Sequence, residues 1–438
     1  MVAPTILPGR AYQGVNRVSD LLFGWRASDL SIDAYTGQSG TFARSSVGGL
    51  VQGTGLDHAL DTDNQLRLVG PASDGVPRWE WVQDENSLWV PALRLEGART
   101  NHMTRSQQFD SWMASNTVVT ANAGAAPDGK QTADRVTDDS TSGAHYVSRG
   151  VTGLGAGANI VLSCYVKSED HQWVWLGESA GAWNRQTYDL TNGVVGSSST
   201  NVTDAGIEDA GNGWYRCWFA MTGAAASSTC RLYLSGGDNF EYAHSGSGTS
   251  ILAWGFQVDE TATFRSTYVP TEAAAVTRAA ESLSWPFNAV PQPMTVYCKF
   301  VEGGSIDTNN ATLASIGNAD AADPRLYIQA SATNNYSVVY DPGASNSIST
   351  ISGPTAGQVT ELRATVSAAG AAQIFQALDG AAETSATAGT AREITSSPWS
   401  ALRTHMGSLD GTSQSFQSWL AYKIAPGVRS LSYMREAY

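Results

Sequence analysis

Gly177-Glu178-Ser179-Ala180-Gly181 fits the G-x-S-x-G pattern of a nucleophilic serine held on a sharp turn. That chemistry needs a strand before the serine and a helix after it, so that backbone N–H groups at the turn meet the developing oxyanion. A strand-like segment, HQWVWL, does precede it. On its C-terminal side, Trp183-Asn184-Arg185-Gln186-Thr187-Tyr188-Asp189-Leu190 alternates in character and runs into the turn Thr191-Asn192-Gly193. The spacing therefore predicts a β-hairpin, with no hydrolase α/β alternation around it. Acid pairs come next, at Glu208-Asp209 and Asp259-Glu260. Sandwich glycosidases set acids at i, i+2 and i+4, so that the carboxylates share a strand face across the sugar. That spacing does not occur, and both pairs read as solvated turn acids.

Histidines stand at 58, 102, 145, 171, 244 and 405, with no pair at i, i+2 or i, i+4, so no local zinc motif exists. Asp61-Thr62-Asp63-Asn64-Gln65 begins like a calcium loop but lacks the Gly and the closing Glu of an EF-hand. Calcium thus has a partial motif, and no other cofactor is expected. Gly153-Leu154-Gly155-Ala156-Gly157 reads as a turn between strands, because no helix comes after it to hold a phosphate. The aromatic rings are what remains, since their faces stack on the C–H faces of sugars. Trp173 and Trp175 share one strand face, but Val174 and Leu176 are equally good core residues, so the face turned to solvent is open. Trp183 and Tyr188 lie nearer a loop and are the better glycan candidates, while Trp214 and Trp218 are expected in the core. The expected glycan contacts are therefore Trp183, Tyr188, Trp173 and Trp175, with no catalytic residue and no metal site.

These residues must be positioned by strands. ANIVLSCYVKSED, HQWVWLGES, WNRQTYDLTNGVV, GNGWYRCWFAMTG, TCRLYLSGG and ILAWGFQVDE alternate with period two and are closed by turn residues. Several such segments in series, without a helical period between them, predict an all-β chain of tandem antiparallel β-sandwiches of the jelly-roll or lectin-like kind. Residues 1–99 hold short apolar pieces and read as an extended N-terminal arm for anchoring and assembly. Residues 100–278 read as a first sandwich, 279–290 as a linker and 291–438 as a second sandwich.

The bulk composition narrows the partners. A chain of 438 residues with 44 Gly and only 15% charged residues suits compact, turn-rich β domains. A net charge of −14 and the lack of any basic run argue against nucleic acid and anionic membranes. No apolar run is long enough to span a bilayer, and MVAPTILPGR has no apolar signal core, so synthesis in a cytoplasm without membrane insertion is expected. Cys164, Cys217, Cys230 and Cys298 all fall in strand-like segments and read as buried thiols, with a Cys217–Cys230 bridge as the alternative.

A run of short matches resembles structural proteins of tailed bacteriophages. It begins with Phe42-Ala43-Arg44-Ser45-Ser46 and Pro77-Arg78-Trp79, and reaches Leu93-Arg94-Leu95-Glu96-Gly97-Ala98-Arg99-Thr100-Asn101. It continues through Ala126-Pro127-Asp128-Gly129, Thr132-Ala133-Asp134-Arg135, Gly213-Trp214-Tyr215-Arg216, Gly255-Phe256-Gln257-Val258-Asp259 and Ser266-Thr267-Tyr268-Val269-Pro270-Thr271. Residues 291–438 resemble a laminin-G or concanavalin-like domain, through Met406-Gly407-Ser408 and Phe416-Gln417-Ser418-Trp419-Leu420-Ala421-Tyr422. The resemblance implies a virion protein of the tail-fibre, tail-tip or head-decoration type, and its pattern contains no catalytic residue. The expectation is a non-enzymatic virion protein that displays lectin-like domains for host-surface glycan recognition. It would join other virion proteins through the arm and self-associate as a homo-oligomer, with three-fold symmetry the natural guess. The alternatives are a capsid or tail decoration protein without a ligand, and a glycan-degrading enzyme.

Overall fold

The computed structural model describes residues 21, 23–29, 31–34, 36–44, 51–53, 67–69, 76–179, 183–238, 243–260, 265–287, 292–302, 311–317, 324–330, 335–341, 346–353, 357–392, 403–407 and 416–436. The chain is all-β, and its strands gather into two compact units. A central unit comprises Gly48–Ala72 and Arg99–Arg278; a terminal unit, built from both ends of the chain, comprises Met1–Val47, Ser73–Ala98 and Ala279–Tyr438.

In the central unit one sheet runs Val202–Asp209, Tyr215–Ala224, Ala158–Ser168, Ser250–Glu260, Ala133–Asp138, Thr117–Gly124. The other runs Val194–Ser198, Trp183–Asp189, Trp173–Ser179, Ser227–Ser235, Tyr146–Thr152, Met113–Ser115. Neighbouring strands are antiparallel, and alternate residues of each sheet meet in one core: Ile160, Leu162, Cys164 and Val166 against Val174, Leu176, Leu232 and Leu234. All four cysteines are buried and free, and Cys217 and Cys230 stand in different sheets, so the alternative bridge is not formed.

The terminal unit has the same plan. Its first sheet runs Thr384–Ser385, Ala372–Leu378, Val359–Val366, Met294–Glu302, Phe416–Pro426, Trp89–Glu96, Arg78–Gln83, with Phe23–Arg26 also paired to Phe416–Pro426. Its second runs Thr41–Ala43, Ser282–Pro286, Arg403–Gly407, Ala311–Gly317, Pro324–Ala330, Asn335–Tyr340, Ser347–Ser352. Two expectations are corrected here. The described parts of residues 1–99 are not a single arm, because Phe23–Arg26, Thr41–Ala43, Arg78–Gln83 and Trp89–Glu96 are strands of these two sheets, while Val51–Gly53 and Arg67–Val69 pair with each other. Phe23, Trp25, Leu93 and Leu95 sit fully buried in the same core as Trp285 and Trp419. Nor is 279–290 a plain linker, because Ser282–Pro286 lies between two strands of the second sheet.

What fixes these remote segments is a buried ionic network. The Glu281 carboxylate accepts hydrogen bonds from Arg44 (2.7 Å), Arg78 (2.7 Å) and the backbone N–H of Glu96 (3.1 Å). Arg78 also reaches Glu96 at 2.9 Å, and Arg94 bridges Glu96 at 3.1 Å and Glu80 at 3.4 Å. Three guanidiniums thus balance three carboxylates, and Arg44, Arg78, Glu96 and Glu281 are essentially sealed from water. Burial by itself would depress the ionisation of Arg78, but Glu281 and Glu96 outweigh it and raise its pKa. The central unit carries a comparable polar knot. Asn101 donates to the carbonyls of Phe256 and Val269 (3.3 and 2.8 Å) and accepts from the N–H groups of Met103 and Val258 (both 3.0 Å), which uses its whole capacity. Asp259 is not a solvated turn acid: it is buried and accepts from Gln257, Ser266 N and Ser266 Oγ at 2.9–3.0 Å.

Removing one partner from a buried ion set strands the rest. Glu281→Gln is expected to destabilise the terminal unit by about 3–5 kcal/mol, read as a lower urea midpoint. Glu169→Gln, in the solvent-exposed pair with Arg135, should leave the midpoint nearly unchanged.

Candidate functional site

The strand Trp173–Ser179 turns Val174 and Leu176 into the inter-sheet core, so Trp173 and Trp175 fall on the opposite face. Trp175 pairs across the ladder with Tyr233, and Tyr233 with Tyr146. The three rings lie nearly parallel, at 4.5 Å between Trp175 and Tyr233 and 6.0 Å between Tyr233 and Tyr146. Arg231 caps the Tyr146 ring at 3.8 Å, and Arg185 stands 5.7 Å from the Trp175 ring. The indole of Trp175 lies over Gly177, where a Cβ would come within 2.5 Å of it. The row is therefore a packed aromatic layer: Trp175 is fully buried and Trp173 half-buried.

Tyr188, expected near a loop and open to a ligand, is corrected. It pairs with Val174, faces the core and is fully buried; its hydroxyl lacks a hydrogen-bond partner, and burial pushes its ionisation well above the ordinary range. Trp175 is likewise withdrawn as a ligand contact, because its neighbours already cover it. Trp183 opens the strand Trp183–Asp189 opposite Ser179, and its side chain lies outside the described residues. Trp214 and Trp218 are buried as expected, but not between the sheets: Cys217, Phe219 and Met221 fill that space. Trp214 packs with Tyr165, Trp254 and Tyr268 on the other face, and Trp218 lies over Gly206 and donates to Glu208 at 3.1 Å.

The serine motif forms the predicted hairpin. Ser179 ends one strand and Trp183 begins its antiparallel partner, so a strand stands where an oxyanion site would need a helix. Glu178 is fully buried and accepts from Asn184 at 3.1 Å. The partial calcium motif at 61–65 lies outside the described residues.

Three histidines far apart in sequence do come together. His145 and His171 lie 4.4 and 6.1 Å from His244, ring to ring, beside the buried Asp138. The two His145 nitrogens already face the carbonyls of Asn116 and His244, at 2.7 and 3.2 Å, and His171 Nδ1 meets Thr249 Oγ1 at 2.8 Å. Burial lowers the pKa of His171 against the opposing pull of Asp138. Among the described residues no group of His, Cys, Asp and Glu is arranged to hold a metal ion.

A concave site among the described residues was missed by the sequence reading, and it lies in the terminal unit. On the first sheet of that unit, Val296, Cys298, Tyr422, Ile424 and Leu362 point into the core, which turns Tyr297, Lys299, Lys423 and Glu361 to the other face. A cross-strand row Arg26, Ala421, Lys299, Glu361 runs beside a second row Gly24, Lys423, Tyr297, Arg363. Ala421 is the short residue in the first row, and a pocket of about 290 Å³ opens there. Asp84 and Glu85 from one turn and Arg435 from the helix Leu431–Glu436 close its sides. Lys299 pairs with Glu85 at 2.8 Å, Arg435 holds Glu361 through Nε at 3.0 Å, and Tyr297 donates to Glu361. Lys423 is buried and donates to the Met434 carbonyl at 2.9 Å. Burial raises the Glu361 carboxyl, but Arg435 and Tyr297 outweigh it and keep it low, the opposite of what a general acid needs.

No protein-family model matches the chain, and no curated protein matches it. Among solved structures, the tail fiber protein gp63.1 from an E. coli phage is similar over 76% of this chain and 40% of its own length, at 9% identity and a TM-score of 0.21. Domains LG4-5 of the mouse laminin alpha1 chain are similar over 64% of this chain and 85% of theirs, at 11% identity and a TM-score of 0.19. The chain thus spans less than half the length of that tail fibre, and neither likeness bears on what it binds.

Gly177→Ala tests the aromatic layer. The added methyl group has to displace the Trp175 indole, so the near-UV circular dichroism of the Trp175–Tyr233 stack should weaken and stability should fall by about 1–3 kcal/mol.

Proposed function

We propose that this chain is a non-enzymatic structural protein of a tailed-bacteriophage virion, displaying lectin-like sandwiches for recognition of host-surface glycans. One observation carries the reading. The residues that recur in the phage-like pattern are fold-holding residues in this chain: Arg44, Arg78, Arg94 and Glu96 in the ionic network, and Asn101, Gln257, Asp259, Ser266 and Tyr268 in the polar knot. A pattern of this kind marks a shared scaffold and leaves loops and faces free to vary. The acidic charge fits an uncharged or protein-bound setting better than nucleic acid. No helix among the described residues is long and apolar enough to cross a membrane. Self-association and assembly with other virion proteins belong to the same reading, without the arm first expected to mediate them.

Incubating the full chain with a panel of purified bacterial surface polysaccharides tests this. The expected result is binding to a subset of them with no new reducing ends after prolonged incubation. Depolymerisation would replace the reading with a glycan-degrading enzyme, and a panel with no binder would favour a decoration protein without a ligand.

A further inference from the structure

We propose that the pocket beside Ala421 binds a sugar acid, its carboxylate held by Lys423 and Arg26 and a hydroxyl donating to Glu85. The volume of about 290 Å³ sits at the small end of ligand sites, which suits a single sugar unit better than a chain. Four cations and three acids line it, with Arg26 also paired to Asp29 at 2.7 Å, so cationic side chains are gathered at this one place in a chain whose total charge is −14. Two of those acids are already engaged: Glu85 Oε1 by Lys299 and Glu361 by Arg435 and Tyr297. The second Glu85 oxygen, Oε2, is shielded from water and has no hydrogen-bond donor. A buried carboxylate oxygen left in this state is costly, so turning the Glu85 carboxylate toward a ligand hydroxyl would relieve it. Val90, Pro91 and Leu420 add an apolar wall for the C–H face of a ring. Cations for a carboxylate, an acceptor lacking a hydroxyl donor, and an apolar wall together describe a polyhydroxylated carboxylate. A simple inorganic anion would meet only the first of these needs.

Lys423 makes this binding proton-linked. Its ammonium is pushed down to about 7, first by burial and then by Arg26 and Lys299, with Glu361 opposing. The other groups around the pocket are Tyr297, whose burial holds it un-ionised, Arg435, Asp84 and Glu85. An entering carboxylate favours the charged form of Lys423. Above neutral pH, binding must therefore take up a proton, and affinity falls as pH rises through that region. Below it the cation is already present.

The assignment of this sugar acid to a host-surface glycan rests on the function proposed above; the chemistry of the pocket does not. Calorimetry of the full chain with D-glucuronate, D-glucose and acetate decides it. Glucuronate should bind about tenfold more tightly at pH 6 than at pH 8.5, with proton uptake in the upper range. Glucose and acetate should each bind far more weakly, because each lacks half of the recognised chemistry. Lys423→Met, which removes a buried ionisable group, and Ala421→Leu, which fills the space, should each abolish binding while leaving the thermal unfolding of the central unit unchanged. No glucuronate binding by the wild type, equal binding of acetate, or binding retained in Ala421→Leu would overturn the proposal. Polysaccharide binding that survives Lys423→Met, with glucuronate binding lost, would overturn the assignment of the pocket to the host glycan while leaving the host-surface reading intact. Glucuronate binding by a chain that ignores every polysaccharide would support the pocket and remove that reading.

Discussion

Glu281 accepts hydrogen bonds from Arg44, Arg78 and the Glu96 backbone, and the terminal unit depends on that one carboxylate. It joins a segment near residue 44, a hairpin of residues 78–96 and a strand that begins at Ser282, and so adds a buried ionic tie to segments already in register through their strand ladders. Each ion in the network loses its hydration, so the arrangement is stable only while every partner is present. That all-or-none character fits a unit built from both ends of a chain, because a network of this kind forms only when the remote segments have docked. Hydrophobic burial of Phe23, Trp25, Leu93 and Trp285 supplies the bulk of the stabilisation, and the ions supply the specificity of docking.

The tryptophans have a different task from the one their abundance suggests. In the central unit the space between the sheets is filled by aliphatic side chains, thiols and a few rings. Trp175, Trp214, Trp218 and Trp254 lie on the other faces of the sheets, packed against tyrosines, arginines and glycines. Gly177 and Gly206 are part of this design, since a side chain at either position would strike the indole above it. Such layers thicken a sandwich on its outer side.

The all-β class was legible from period-two alternation, and so was the hairpin at Ser179, because both depend only on neighbours in sequence. The direction of Trp175 and Tyr188 was not. When both alternate sets in a strand are apolar, as in Trp173-Val174-Trp175-Leu176, the period is visible but its phase is not, and only the packing of the opposite sheet selects it. The arm over residues 1–99 failed for a related reason. Short strands such as Phe23–Arg26 and Thr41–Ala43 are stable only beside partners hundreds of residues away, and no local pattern reports that pairing. The histidine cluster and the pocket around Lys423 likewise depend on contacts between segments well separated in sequence. A lone lysine between apolar residues in Ala421-Tyr422-Lys423-Ile424 was the one available signal for the pocket, since a charge on a half-buried strand needs a polar face to meet.

Hydrogen–deuterium exchange of the full chain, resolved by peptide, tests most directly whether the N-terminal segments are integral to the terminal unit. The account predicts that the ladder-bonded amides of Arg78–Gln83, Trp89–Glu96 and Ser282–Pro286 are protected and open together with those of Met294–Glu302. Rapid exchange of Arg78–Glu96 beside a protected Met294–Glu302 would mean a detached arm and would contradict it.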